Sequence, residues 1–454
     1  MKIKLGREKM SLREFAALCG GEPFGCAETE FSYICTDSRE ADPNTLFVAI
    51  RGERVDGHSF IGSAKALGAR CVLCERLPKE DISGVIMNDS VGALIKAAEN
   101  SPRPEKTVAI TGSVGKTTTK EFTAAALSSL APYKTEGNFN SVIGLPLSML
   151  EIPPSTRSAV LEMGMSGFSE IEAMSRAARP DIAMITNIGS SHMELLGSRE
   201  NIRKAKLEIT SGLTENGVLL INGDDPMLMG YETGVRTMSV GVENLECDFF
   251  AKNIKQESHG TSFVAVFPDK TSESCYVSQF GEHNVRAALF GLAAAHILGI
   301  DHTIAKNGVA AFNGAKMRQN IYRVGEYTFV EDCYNASPES MRAALCVAST
   351  LGGRLVSVLG DMKELGNTEK QLHYEVGEYA AKCGTALLFS YGELAENIAA
   401  GAEAHGINTV RMSGDDPERA AELIRSQLLP GDTVLFKASR AMREEKIIEI
   451  LKRI

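Results

Sequence analysis

Apolar and polar positions follow two rhythms along the chain. Ahead of residue 99, short apolar runs such as "NTLFVAI", "ARCVLCE" and "SGVIMND" predict brief buried strands alternating with helices. The stretch "ENSPRPEKT", 99 to 107, places two prolines among charges and reads as a linker. Beyond it comes a regular strand–helix repeat. "TVAIT", "SAVLEM", "DIAMIT" and "GVLLING" are strands, while Lys116 to Leu130, "SEIEAMSRAA" and a segment near 200 to 212 are helices. Strands that are apolar throughout and separated by helices predict a parallel sheet covered on its faces. From about 235 the pattern alternates, as in "TSFVAVF" and "SCYVSQF", and predicts a small antiparallel add-on followed by a helix at "HNVRAALFGLAAAHIL". A second boundary falls at "FNGAKMRQN", 312 to 320. After it, "RLVSVLGD", "ALLFSYG" and "DTVLFKAS" return to strands with helices between. The expected fold is α/β in three domains, residues 1–102, 103–314 and 315–454.

Length agrees with that division, since 454 residues exceed what one core usually organises. With 44% hydrophobic and 23% charged residues, composition is that of an ordinary globular protein. No apolar run reaches the roughly 20 residues that span a bilayer. The start "MKIKLGREKMSLREF" has no signal-like core, so a cytoplasmic location is expected. Ten cysteines are scattered, and the single C-x-x-C, Cys71 to Cys74, sits in an apolar run that reads as a buried strand rather than a metal site. A net charge of −10 argues against a general nucleic-acid binder. An anionic ligand must then be held locally, by backbone amides, a few cations and metal ions.

The segment "TGSVGKTT", Thr111 to Thr118, supplies such a place. Its glycines allow a turn whose N–H groups face phosphate oxygens, and the following helix adds its dipole. Lys116 would neutralise the outer phosphates and the Thr117 hydroxyl would ligate Mg²⁺. The general pattern asks for Gly at position 110, where this chain has Ile. Ligands of open parallel sheets sit beyond the carboxyl ends of the strands. "SAVLEMGMSG" brings Glu162 to such an end, and "DIAMITNIGSSHMELLG" brings Asn187 and His192. Singly, Glu162 reads equally as a solvated loop carboxylate, and His192 as a hydrogen-bonded loop histidine. Together with the loop they point to metal-assisted phosphoryl transfer. Lys206 reads as an ordinary solvated helix lysine. Ser190, Ser191 and His192 do not make a nucleophile and base, because adjacent residues seldom aim at one another. The last domain lacks G-x-G-x-x-G, so a dinucleotide site there has no support.

At this point the chain resembles a known family, the Mur ligases, and within it the MurF type. "TGSVGKTT" is similar to the family's TGxxGKTT, which also lacks the first Gly. "LEMGMSGFSEI", "TNIGSSHMELLGSRENIRKAKLEI", "GEHNVRAAL", "VEDCYNASPESM", "VLGDMKELG" and "LFKASRAM" match further blocks in order. "CTDSREADPNTLFVAIRGERVDGHSF" resembles the UDP-sugar-binding domain of the MurE and MurF types.

The resemblance implies three domains: an N-terminal α/β domain for UDP-muramoyl-tripeptide, a central P-loop ATPase domain, and a C-terminal Rossmann-like α/β domain for D-alanyl-D-alanine and part of the nucleotide. It further implies that Gly112, Ser113, Val114, Gly115, Lys116, Thr117 and Thr118 wrap the ATP phosphates. Asn284, Arg318, Asp332 and Asn335 contact the nucleotide, with Asp332 on the ribose and Arg318 at the γ-phosphate. Many relatives have Gly-Arg where this chain has Lys-Met-Arg. Glu162 and His192 hold two Mg²⁺ with Thr117, and Lys206 matches a lysine that CO₂ can carbamylate. Ser38 and Arg39 hold the UDP-sugar, with Asp56 and His58 nearby. The implied activity is ATP-dependent addition of D-alanyl-D-alanine to UDP-N-acetylmuramoyl-tripeptide by a monomer. A MurE-type ligase, folylpolyglutamate synthase and a P-loop switch are the rivals; the switch's guanine-reading motif is not seen.

Overall fold

The computed structural model describes residues 1–52, 54–232, 234–315 and 317–453, so Lys316, in the run before Arg318, lies outside the described residues. Three large sheets follow one another along the chain, with a two-stranded ribbon, Met10–Ser11 against Glu30–Phe31, beside the first. The first has six strands in the order Lys2–Lys4, Tyr33–Cys35, Thr45–Val48, Cys71–Cys74, Ser83–Ile86, Glu22–Phe24. Its four inner strands run parallel and its two edge strands antiparallel. Cys71 and Cys74 are fully buried in it, and every cysteine is a free thiol.

The second sheet carries the site. Its nine strands begin with Tyr133–Lys134, Ser158–Glu162, Lys106–Thr111, Ile182–Ile185, Val218–Asn222 and Thr237–Gly241. The middle strands are apolar throughout because helices cover both faces; Val108, Ala109 and Ile110 have no exposed surface. The expected antiparallel add-on is present, as an extension of this same sheet. The strand Phe249–Glu257 still pairs in parallel with Thr237–Gly241, and only Gly260–Val266 and Ser272–Val277 are antiparallel, extending the same sheet. Alternating polarity reports one solvated face, which an edge extension has as surely as a separate sheet does. Two bounds differ. The linker shrinks to 101–105, because the helix Ser90–Asn100 and the strand Lys106–Thr111 close in on it. The helix after the loop, Lys116–Ala126, stops before Leu130 in a short 3₁₀ turn, Ser128–Leu130.

The third sheet has the order Asn320–Val324, Tyr327–Glu331, Thr433–Lys437, Leu355–Gly360, Leu387–Tyr391, Asn408–Met412, parallel except for its first pair. The first sheet shares one continuous apolar core with the central sheet, in which Leu46 and Leu73 join Leu145, Leu161 and Met174. Gly6 marks the seam: its N–H donates to the Leu150 carbonyl at 3.0 Å, and a Cβ there would lie 2.2 Å from the Ile152 oxygen.

The core of the third domain holds one costly group. Glu444 is 1% exposed and neither carboxylate oxygen has a hydrogen-bond partner. Burial raises its pKa well above the ordinary value of 4.5. The folded chain therefore keeps a proton that the unfolded chain releases, and stability falls as pH rises above 4.5. Glu444→Met should raise the denaturation free energy at neutral pH by about 1–3 kcal/mol and flatten its decline between mildly acidic and neutral pH. Urea unfolding across that range measures both.

Candidate active site

Register sets the site. Ile110 pairs with Glu162 and Thr111 with Ile185, so three neighbouring strands end level at one edge of the central sheet. The loop 112–115 turns there and leads into the helix Lys116–Ala126. Gly112 has φ +152°, and a Cβ on it would lie 1.8 Å from Thr186 Oγ1, so no other residue fits. Asn187 Oδ1 accepts the N–H groups of Ser113 and Val114 at 3.0 and 2.9 Å, and Thr186 Oγ1 donates to the Val114 carbonyl at 2.6 Å. Asn187 thus shapes the loop rather than facing a ligand. The first turn of the helix leaves N–H groups without intrahelical acceptors, aimed at whatever the loop holds.

Lys116 Nζ donates to the carbonyls of Gly112 and Ser113 at 2.7 and 3.3 Å. Desolvation lowers its pKa, Glu162 and Glu364 oppose that shift, and Arg318 adds to it. Glu162, 3% exposed, accepts from Thr117 Oγ1 on one carboxylate oxygen and from Asn140 Nδ2 on the other, each at 2.9 Å. Lys120 is buried behind it, with Nζ 3.9 Å from Glu162 Oε2 and donating to the Thr135 carbonyl at 2.6 Å. Arg318 arrives from the far side of the second boundary. Its Nη2 donates to Thr117 Oγ1 at 2.9 Å, and its guanidinium lies over the Tyr334 ring at 4.2 Å.

Asp332 accepts the Gln319 N–H and pairs with Lys437 Nζ at 2.6 Å. Lys437 also donates to the Asn335 carbonyl, while the Asn335 side chain caps the Ala336 N–H. Asn284, 4% exposed, donates to the Phe280 carbonyl and to Gln319 Oε1, both at 2.8 Å. Beside it His283 has a pKa lowered to about 4 by burial, so it is neutral in the folded chain at neutral pH. Lys116, Thr117, Glu162, Asn284, Arg318 and Asp332 all line one cavity of about 540 Å³ between the second and third sheets.

His192 lines the same cavity, with Nδ1 2.9 Å from Glu364 Oε2. Ser190 Oγ is hydrogen-bonded to Glu339 Oε1. The described residues hold no group of three or more His, Cys, Asp or Glu fit to grip a metal unaided. Thr117 and Glu162 supply two hard oxygen ligands side by side, a pair that suits Mg²⁺ completed by phosphate oxygens and water. Lys206 overturns its reading as a solvated lysine. It is 1% exposed, on the face of its helix that also buries Ile202 and Ala205. Burial, and then the charge of Lys116, pull its pKa well below the ordinary 10.5.

The four residues implied for the UDP-sugar do not reach this cavity. Arg39 is exposed and doubly bonded to Asp37, in the turn Ser38–Glu40. His58 is buried and both ring nitrogens are engaged, Nδ1 with Asp56 at 2.7 Å and Nε2 accepting the Glu75 N–H at 2.8 Å. Asp56 also pairs with Arg76. His58 therefore stiffens its turn. Sequence reasoning missed Asn140, Lys120, Glu339, Glu364 and Lys437. Only Lys437 had a signal, since it ends the strand Thr433–Lys437 as Glu162 ends its own.

The chain matches the family models described as Mur ligase family, catalytic domain, over residues 30–109, Mur ligase middle domain over 110–295, and Mur ligase, glutamate ligase domain over 317–440. It is 38% identical to the UDP-N-acetylmuramoyl-tripeptide–D-alanyl-D-alanine ligase of Bacillus subtilis, covering 93% of this chain and 94% of that one. Among solved structures it is similar to MurF from Acinetobacter baumannii, with a TM-score of 0.91, 30% identity and 100% of both chains covered. It is also similar to the MurF ligase of Thermotoga maritima in complex with ADP, with a TM-score of 0.82, 30% identity, 92% of this chain and 97% of that one. The chain belongs to the Mur ligase family, in its MurF branch.

Proposed function

We propose that the chain joins D-alanyl-D-alanine to UDP-N-acetylmuramoyl-tripeptide at the expense of ATP, giving the pentapeptide precursor of peptidoglycan. The observation that carries this reading is Arg318 meeting Thr117 opposite Glu162 and Lys116, which gathers the cations of phosphoryl transfer in one cavity. Agreement with MurF relatives over nearly the whole chain favours it over the MurE-type and folylpolyglutamate alternatives.

A carboxylate does not condense with an amine in water, because oxide is no leaving group. The terminal carboxylate oxygen of the tripeptide attacks the γ-phosphorus, the bond to the β-phosphate breaks, and ADP leaves. The acyl phosphate then takes the dipeptide amine at its carbonyl carbon, sheds the amine proton, and releases phosphate. The first step sets an anion against a polyanion. Lys116 and Arg318 draw charge from the equatorial oxygens, and the loop amides hold the others. Thr117 and Glu162 would hold one Mg²⁺ and His192 would face a second, and such ions would supply further neutralisation. No protein nucleophile enters. Asn284, Asp332 and Asn335 hold the nucleoside, and the domain 1–102 takes the UDP-sugar through Ser38 and Arg39, with Asp56 and His58 shaping its edge. The central domain, 103–314, holds ATP, and the domain 315–454 brings the dipeptide. One chain supplies the whole cavity, which supports a monomer. No helix among the described residues is long and apolar enough to cross a membrane, and ATP as a substrate puts the reaction in the cytoplasm. The test is ADP release with UDP-tripeptide and each candidate acceptor: D-alanyl-D-alanine supports turnover, whereas release without any acceptor would fit a nucleotide switch instead.

Lys206 as a carbamate completes the reading. A buried lysine that feels the positive charge of Lys116 gains from becoming an anion, which would convert repulsion of Mg²⁺ into support. Activity should fall in CO₂-depleted buffer and return with bicarbonate, while a Lys206→Ala variant should show low activity and no bicarbonate response.

A further inference from the structure

The block "VLGDMKELG" has no part in the function so far, yet it lies against the site. His192 and Glu364 both have φ +66°, a left-handed backbone unusual outside glycine, and they face one another from different domains. Such strain persists where the surroundings hold it, and it gathers at functional sites. The His192 Nδ1 is closed off from solvent, with no well-aligned hydrogen bond and the Glu364 carboxylate 2.9 Å away. The Glu364 side chain is exposed, so a small rotation aligns the pair. The loop that carries it is anchored to its own domain. Asp361 Oδ1 accepts the Ala395 N–H at 2.8 Å, His373 Nε2 accepts the Met362 N–H at 2.9 Å, and Ser439 Oγ accepts the Lys363 N–H at 3.0 Å. Its far end, Gly366, packs on Glu194, where a Cβ would lie 3.1 Å from the Glu194 Cα. The carboxylate is thus delivered by the C-terminal domain as a fixed part of it.

We propose that Glu364 is a positioning residue for His192, holding its Nδ1–H so that the Nε2 lone pair faces the cavity, and that it does so only when the C-terminal domain is docked. A carboxylate on one imidazole nitrogen fixes tautomer and ring orientation for whatever the other nitrogen binds. Docking of the dipeptide-bearing domain and readiness of His192 then become one event. This rests on the ligase reading above.

The test is a double-mutant cycle on purified full-length chain, assayed for pentapeptide with all three substrates. Glu364→Ala should lower kcat about 10- to 100-fold with the KM for ATP little changed. Glu364→Gln, which keeps an oxygen for the Nδ1–H, should recover much of that loss. In a His192→Ala background, Glu364→Ala should cost nothing further, whereas a role in general stability would cost as much as before. A wild-type kcat for Glu364→Ala, or the same fold-loss with and without His192, overturns the proposal. A wild-type chain that makes no pentapeptide overturns the ligase reading instead.

Discussion

Arg318→Ala should cut turnover about a thousandfold or more while leaving nucleotide binding largely intact. The C-terminal domain places this guanidinium on the Thr117 hydroxyl, and Tyr334 beneath it fixes its plane. A cation in that position acts mainly when charge spreads over the transferring phosphoryl, so the loss should appear in kcat more than in KM. Arg318→Lys should recover little, because an ammonium neither stacks flat on the ring nor presents a fork of donors. Steady-state ADP release and pentapeptide formation measure both variants. A kcat within a few-fold of wild type would remove Arg318 from the mechanism.

Lys116→Ala is the second large effect, expected at about 100- to 1000-fold in kcat. In the structure its ammonium is turned onto the carbonyls of Gly112 and Ser113, within the electrostatic reach of Glu162 and Glu364. Those contacts keep the charge at the mouth of the loop, ready for the outer phosphates. Removing it leaves the loop amides and Arg318 in place, so the fold and ADP binding should survive. Lys116→Arg should also be impaired, since the loop was built around a slim ammonium. Rapid-quench measurement of acyl phosphate against product separates the phosphoryl step, where the defect belongs, from amine attack.

Much of the site was legible because it lies at strand ends. Period and apolarity placed the strands that lead to Thr111, Glu162 and Asn187 with their ends at one edge, and the parallel register brings those strands level. What could not be read are contacts between residues far apart in the chain. Arg318 and Thr117 are 201 positions apart, and nothing local to either encodes their meeting. Lys206 was misjudged from its neighbours. "RENIRKAKLEIT" is rich in charge, but its apolar stripe at Ile202 and Ala205 continues onto Lys206 and carries the ammonium inward. The antiparallel add-on was legible from its alternation, but its pairing was not: alternation tells which face is wet, and only pairing tells which sheet a strand joins. His58 shows the reverse limit, since a residue in a matching motif proves to be engaged at both nitrogens within its own domain.

The claim on which the rest depends is that ATP activates the tripeptide by forming a bond between its carboxylate oxygen and the γ-phosphorus. UDP-tripeptide labelled with heavy oxygen in its terminal carboxylate, turned over with ATP and D-alanyl-D-alanine, tests this directly by mass spectrometry of the released phosphate. Transfer of one labelled oxygen to each phosphate is the expected result. Pentapeptide formed together with unlabelled phosphate would contradict it.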